Sequence, residues 1–575
     1  MARARAATSL TACPEWVETV TMGPSPGQNR KSGGWPTTVH IMPHEEGGTG
    51  VTTSTNRPLF YSGMSARDPR GCSTSTPKKD RVHHVSAGDL LPTPRPSRSN
   101  AMAPPHDAVV IGAGPNGLAA AITLALSGRS VLVLEAASEV GGGSRSAELT
   151  LPGFVHDTCS AIHPLAVASP FFRELPLADH GLEWVHPPVA VAHPFEEGAG
   201  AVLEGSVEDT ARLLGRDGDG YRRLLEPVTS RWRELSPILL GPPRIPSRIL
   251  PPIRFALRGI RSARSIAEGF FQERNARGLF AGLAAHSTLP LERTASAGVA
   301  LLLGAAGHVD GWPMPRGGAQ RLADALAGTL RSLGGEIELN QKVVAFRDLP
   351  AASAYLFDLT PRQVLRIAGG ELPGRYRRRL ERFRYGPGVF KIDWALDAPI
   401  PWKDPTCRRA GTVHLGGDFD DVARAEHAVW QGEHPERPFV LLAQQSLFDD
   451  TRAPPRKHSA WAYCHVPHRS TWDMTSRIEE QVERYAPGFR DLILARHTFN
   501  TREFEAHNPN YVGGDIAGGT QDLSQIVGRP ILSWVPYATP NPKIYLCSSS
   551  TPPGGGVHGM AGYHAARAVI RRQGG

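Results

Sequence analysis

Three glycines at fixed spacing, Gly112, Gly114 and Gly117, follow the apolar run 107–111 and open a stretch of helical character. A G-x-G-x-x-G turn in that context binds phosphate with backbone rather than with side chains. Gly112 permits the tight turn, Gly114 lets the chain approach a pyrophosphate, and Gly117 permits close helix–strand packing. Free amides around Asn116 and the dipole of the new helix attract the phosphates. A second strand-like run, 130–134, ends in Glu135, 21 residues after Gly114. A carboxylate there accepts hydrogen bonds from both ribose hydroxyls and disfavours a 2′-phosphate. The spacing therefore predicts a dinucleotide site. Residues 108–128 also run without a charge for 21 residues, the length of a membrane span, but Pro115 and the glycines interrupt them.

The residues after Glu135 choose between dinucleotides. A second glycine-rich turn, with Gly142 and then Arg145, supplies more amides and one guanidinium. Such a set suits the far end of a longer, flavin-bearing dinucleotide, FAD. Near the C-terminus a strand-like run, 543–547, enters the loop 548–559, which carries Gly555, Gly556, Val557 and His558. Met560 then opens an alanine-rich helix. A glycine loop feeding a helix N-terminus can place amides and a positive dipole beside the flavin and stabilise its anionic reduced form. Candidate catalytic side chains are His558, His163, His286 and Trp312; a histidine titrates near neutrality and can pass a proton. No second G-x-G-x-x-G follows a strand, so reduced flavin is expected to deliver electrons to oxygen or a quinone rather than to a dedicated nicotinamide domain.

The two glycine-rich ends resemble the FAD-dependent amine oxidase and carotenoid (phytoene) desaturase superfamily, most nearly the phytoene-dehydrogenase-like proteins. In that family an acid, a short spacer, a glycine pair and an arginine follow the first βαβ unit, and a Pro-Gly-Gly-Gly-Val run precedes the last helix; here that run is 553–557. The stretch 311–326 resembles the family's Pro-x-Gly-Gly turn, and 336–344 its adenine-reaching strand. The resemblance implies that the backbone of Val343 grips the adenine edge. Ser548 to Thr551 stand where related amine oxidases carry an acid for the ribityl chain.

The resemblance spans 102–575 and implies an α/β fold: a Rossmann-like FAD-binding domain built from discontinuous segments, with an inserted α+β substrate domain. The flavin segments are 102–175, 311–364 and 506–575; the substrate segments are 176–310, mostly helical, and 365–505. The implied activity is that of an oxidoreductase taking hydride onto flavin N5 from an apolar substrate of isoprenoid or lipid-like type. A flavin amine oxidase, with an aromatic cage, is the alternative. So is a non-catalytic prenyl carrier of the GDP-dissociation-inhibitor type, which would lack a working flavin site.

The elements that must position these residues come from a chain of 575 residues, 40% hydrophobic and 21% charged. That composition excludes a wholly disordered chain, and 61 Gly with 51 Pro exclude a plain helical bundle. Six cysteines without a C-x-x-C pair exclude a disulfide scaffold and a dithiol centre. They also point to a reducing, cytoplasmic compartment. The net charge is +8, and residues 1–101 hold 12 Lys/Arg against 7 Asp/Glu. The remainder is nearly balanced, so no nucleic-acid footprint is expected, and no metal cluster is evident. Residues 1–101, rich in Gly, Pro, Ser and Thr, read as disordered or as an artefact of start-site choice. Helices are expected at 209–214, 221–235, 266–285 and 294–303. Strands are expected at 389–396, 439–444 and 460–466. Arg254, Arg258, Arg261 and Arg264 are spaced as one basic helical face, a possible peripheral membrane contact through 253–264.

Overall fold

The computed structural model describes residues 106–242 and 250–574; the expectation for 1–101 lies outside them. Apolar runs alternating with helices form a five-stranded sheet. Its order is Ile544–Leu546, Ala352–Phe357, His106–Ile111, Val131–Leu134 and Glu336–Glu338. Every pairing is parallel. The strands come from three separated stretches of chain.

Both faces of this sheet are covered, which is why its strands are almost continuously apolar. Val110, Val131, Val133 and Leu356 face helices Pro115–Leu126, Gln320–Ser332 and Met560–Arg572 in one core. Val109, Leu132, Tyr355 and Phe357 face helix Pro361–Ala368 and Leu380 in another. Helices Pro115–Leu126 and Met560–Arg572 cross closely. A side chain at Gly562 would put its Cβ 1.8 Å from the Asn116 carbonyl oxygen, so only glycine fits.

A second sheet of seven strands runs in the order Ile493–Phe499, Gly388–Leu396, His458–Val466, Val440–Ala443, Ala410–Leu415, Val189–His193 and Ala201–Leu203. It is antiparallel except where Ala410–Leu415 meets Val189–His193. Strand residues alternate between faces. Phe390, Ile392 and Trp394 pack outward on Ile478 and Val482 of helix Thr475–Tyr485. Lys391, Asp393, Tyr463 and His465 therefore lie on the opposite, inner face.

Two expected helices are broken. The stretch read as 221–235 is two helices, Gly218–Thr229 and Trp232–Leu239. The stretch read as 266–285 is Ala263–Phe270 and Arg274–Ala285. At the second break the Asp217 carboxylate accepts the amides of Gln272 and Glu273, both at 2.8 Å. This distant carboxylate satisfies amides that the chain leaves free where a new helix starts. The strand expected at 336–344 stops at Glu338. The single basic face at 253–264 does not form, because helix Leu250–Gly259 ends before Arg261. Arg258 lies over the Phe270 ring and donates to the Leu224 carbonyl. Arg264 pairs with Glu292 and Asp420.

Candidate functional site

The glycine-rich stretches, 400 residues apart in sequence, meet at one place. Gly112 has φ +103°, reachable without strain only by glycine. A Cβ on Gly114 would lie 2.7 Å from an Asp358 carboxylate oxygen. The second turn lies against the first: the Gly141 amide donates to the Ala113 carbonyl at 2.8 Å. A Cβ on Gly142 would stand 3.1 Å from the Gly114 Cα. From the C-terminal side, the Ser549 hydroxyl reaches Asn116 Nδ2 at 3.5 Å.

Glu135 is held in place, its two carboxylate oxygens accepting the amides of Ala113 (2.7 Å) and Ala137 (2.9 Å). The Gln341 amide donates to the Glu135 carbonyl at 2.7 Å, which brings the chain near Val343 alongside the acid. Arg145 donates from Nε to the Gly142 carbonyl and from Nη2 to the His507 carbonyl. Of the four hydroxyl residues from Ser548 to Thr551, three donate to carbonyls of the protein: Ser548 to Leu359, Ser550 to Gly518, Thr551 to Ser548. Ser549 keeps its hydroxyl toward Asn116.

The histidines fall into two groups. His558 Nδ1 accepts the Met560 amide at 3.1 Å, so the ring caps the last helix and its neutral form carries the proton on Nε2. Burial lowers its pKa to about 4. His163 Nε2 lies 3.2 Å from the Ser160 hydroxyl, and burial lowers its pKa to about 4 as well. Both rings are therefore neutral at pH 7, hydrogen-bonding groups rather than acids. His286 has its Nε2 3.0 Å from His414 Nε2; burial and the nearby His465 hold it at about 3. Trp312 stands edge-on to His286 at 6.3 Å and donates from Nε1 to Thr412.

A flavin dinucleotide fits this set. One buried polar atom here, Asn116 Oδ1, lacks a partner in the protein. Such atoms are rare in a folded interior unless a ligand or water meets them. Met560 opens the last described helix, three residues after the Gly555–Gly556–Val557 run.

Two features escape a reading of the sequence. The first is Asp358, at the C-terminal end of strand Ala352–Phe357, whose carboxylate accepts the Gly117 amide at 2.9 Å. Burial, with Glu135 nearby, raises its pKa to about 7 against the pull of that amide. Its position just past a parallel strand is the available signal, since ligands gather at that sheet edge.

The second is the inner face of the seven-stranded sheet. Lys391 and Asp393 form a buried ion pair there. His156 and His497 approach Asp393 at 3.6 and 3.7 Å. Burial tends to raise the Asp393 pKa, but Lys391, His497 and His156 together more than offset it and the net shift is downward. The rings of Trp461 and Phe499 lie 5.5 and 6.0 Å from the Lys391 ammonium. His465 Nδ1 bonds the Glu426 carboxylate at 2.8 Å, leaving Nε2 buried and unpartnered. Tyr463 and Phe499 pack with Cys159, which follows the Arg145 turn, so this face adjoins the glycine cradle. Asp157 joins the two parts. It holds Arg452, the Ala319 amide and Ser146, which together outweigh burial and lower its pKa.

A family model described as an NAD(P)-binding Rossmann-like domain matches residues 110–175. The chain is 25% identical to the pyridine nucleotide-disulfide oxidoreductase domain-containing protein 2 of Rattus norvegicus, over 81% of this chain and 94% of the relative. It is 26% identical to phytoene dehydrogenase of Streptomyces griseus, over 68% and 78%. A solved putrescine oxidase superposes with a TM-score of 0.53 at 17% identity, covering 81% of this chain and 99% of that one. The chain shares the fold of that oxidase. These comparisons agree with the resemblance read from the glycine motifs and support an oxidoreductase of this superfamily, with a flavin or nucleotide cofactor. Among the described residues no helix is long and apolar enough to cross a membrane.

Proposed function

We propose that the protein is an FAD-dependent oxidoreductase that removes hydride from an uncharged, apolar substrate of isoprenoid or lipid-like type. The observation that carries this reading is the meeting of the early and late glycine loops beside Asn116, whose buried Oδ1 has no partner in the protein. Bound FAD supplies the two-electron acceptor. Glu135 holds the ribose, the amides after Gly114 meet the pyrophosphate, Arg145 and the 555–557 backbone face the flavin end, and Val343 borders the adenine. The segments assigned to the cofactor are 102–175, 311–364 and 506–575. On the inner sheet face His465 is oriented by Glu426, and its Nε2 has no protein partner. Oxygen or a quinone then accepts the electrons.

The aromatic set on the inner sheet face bears on the amine oxidase reading. Trp461 and Phe499 surround a cation that the protein itself provides, Lys391. Lys391, neutralised by Asp393, already occupies those ring faces, which leaves them unavailable to a substrate ammonium and favours a neutral substrate. The retained glycines and Glu135 weigh against a flavin-free carrier.

Purified protein should be yellow, with one flavin per chain, and Glu135→Ala should lower retained flavin about tenfold or more, having lost charge-assisted hydrogen bonds. A colourless protein that takes up no added FAD refutes the cofactor assignment. Anaerobic mixing with isoprenoids, fatty-chain compounds and amines should bleach the flavin with the uncharged class. Bleaching by amines alone refutes the substrate class.

A further inference from the structure

Large exposed apolar side chains gather in one short stretch of the described residues. Leu523, Ile526, Val527, Leu532, Trp534 and Val535 all stand in solvent, with Leu532 73% and Trp534 87% exposed. Single exposed apolar residues are ordinary, but a cluster tipped by an indole marks a surface that meets something. The stretch is firmly anchored from behind. Buried Arg529 donates to the carbonyls of Ser549, Thr520, Ala517 and Gly518. Ile531 packs into the core containing Leu372 and Tyr376. The Tyr537 hydroxyl donates to the Pro552 carbonyl.

Beside it runs helix Gly374–Glu381, tied to the stretch at both ends. Arg384 bonds Asp522 and Ser524, and Asn541 bonds the Glu371 carbonyl. Residues 371–382 contain five arginines (375, 377, 378, 379 and 382) and two carboxylates. All five arginines are exposed. Arg377 approaches Glu381 at 3.8 Å. No salt bridge joins the other four to a carboxylate among the described residues.

We propose that this face, the apolar stretch 523–535 with the adjoining arginine helix, seats the protein on an anionic lipid bilayer. The indole and leucine tips enter the headgroup boundary, and the guanidinium groups lie over lipid phosphates. Charge complementarity selects this occupant over a second copy of the chain: a twofold contact through this face would set one arginine helix against its equal. The inference rests on exposure and charge, independently of the flavin reading. It differs from the sequence expectation for 253–264, where Arg258 and Arg264 are turned onto the protein's own groups.

The test is co-sedimentation of the full chain with vesicles of phosphatidylcholine alone or mixed with phosphatidylglycerol. Sedimentation is expected with the anionic vesicles only, and should weaken with added salt. Leu532→Ser with Trp534→Ser should lower partitioning about tenfold or more. Arg375→Ser, Arg378→Ser and Arg379→Ser together should do the same. Because these side chains are exposed, Tm should stay unchanged in both variants. Ile253→Ser with Leu257→Ser should bind like the parent. The proposal fails if anionic vesicles do not sediment the protein, or if only the 253/257 variant loses binding. It also fails if light scattering reveals a dimer that the 532/534 variant dissolves.

Discussion

The parallel sheet and the seven-stranded sheet build their parts of the site by opposite means. At the parallel sheet, main-chain amides and missing side chains make the cradle, and Glu135 and Asp358 are its carboxylates. At the other sheet the working surface is made of side chains: Lys391, Asp393, His465, Tyr463 and Trp461. A backbone cradle fails when anything is added to it. A side-chain face fails when one charge of a pair is taken away. The two parts should therefore respond to substitution in different measurements.

The largest effect is expected at the cradle. Gly114→Asp places a Cβ where the Asp358 carboxylate lies and adds a negative charge beside it. Retained flavin, read by absorbance per chain, should fall by about 100-fold or more. Retention at the parental level breaks the assignment of the cradle.

Next comes the side-chain face. Lys391→Met leaves Asp393 buried without its cation, and should lower stability by about 3–5 kcal/mol in denaturant unfolding. Flavin content should stay at one per chain. If flavin is lost in proportion, the two regions are not separable in the way described.

Asp358 gives a smaller effect that depends on pH. Below about pH 7 its carboxyl is protonated. As pH rises through that value, an ionised Asp358 confronts Glu135 and an incoming pyrophosphate, and flavin retention should fall. Asp358→Asn should bind FAD about tenfold more tightly at about pH 8 and abolish the slope, with little change at about pH 5.5. The same proton is bound in the folded chain and released on unfolding. Parental stability should therefore decline from about pH 4 to pH 7, while the variant's stays flatter. Equilibrium dialysis and melting curves read the two effects.

The smallest change is expected for Ser549→Ala, which removes a long hydrogen bond to Asn116. Flavin affinity should drop less than about tenfold, near 1 kcal/mol. A larger loss would mean that this hydroxyl touches the cofactor directly.

The cradle was legible in the sequence because backbone sites leave contiguous signatures. Gly112 to Glu135 lie within one βαβ unit, and the last helix, expected from Met560, begins there. The inner face of the second sheet was not legible, because its residues arrive from strands spread between Val189 and Phe499, each contributing every other position. Lys391 and Asp393 sit two apart in an otherwise apolar run and give no motif. The helix break at 271–273 was equally hidden, since its cause is Asp217, more than 50 residues upstream. Asp358 ends the strand-like run visible at 355–358, but its hydrogen bond to Gly117 exists only after strands from two segments have paired.

The crossing at Gly562 also sets an order of events during synthesis. Among the described residues, helix Pro115–Leu126 finds its partner only in helix Met560–Arg572, and the edge strand Ile544–Leu546 completes the parallel sheet. While the ribosome still holds the C-terminus, the nascent chain lacks both, and the phosphate-facing helix has one flank bare. A chain cut before Ile544 lacks that flank and should melt at a lower temperature than one that includes it.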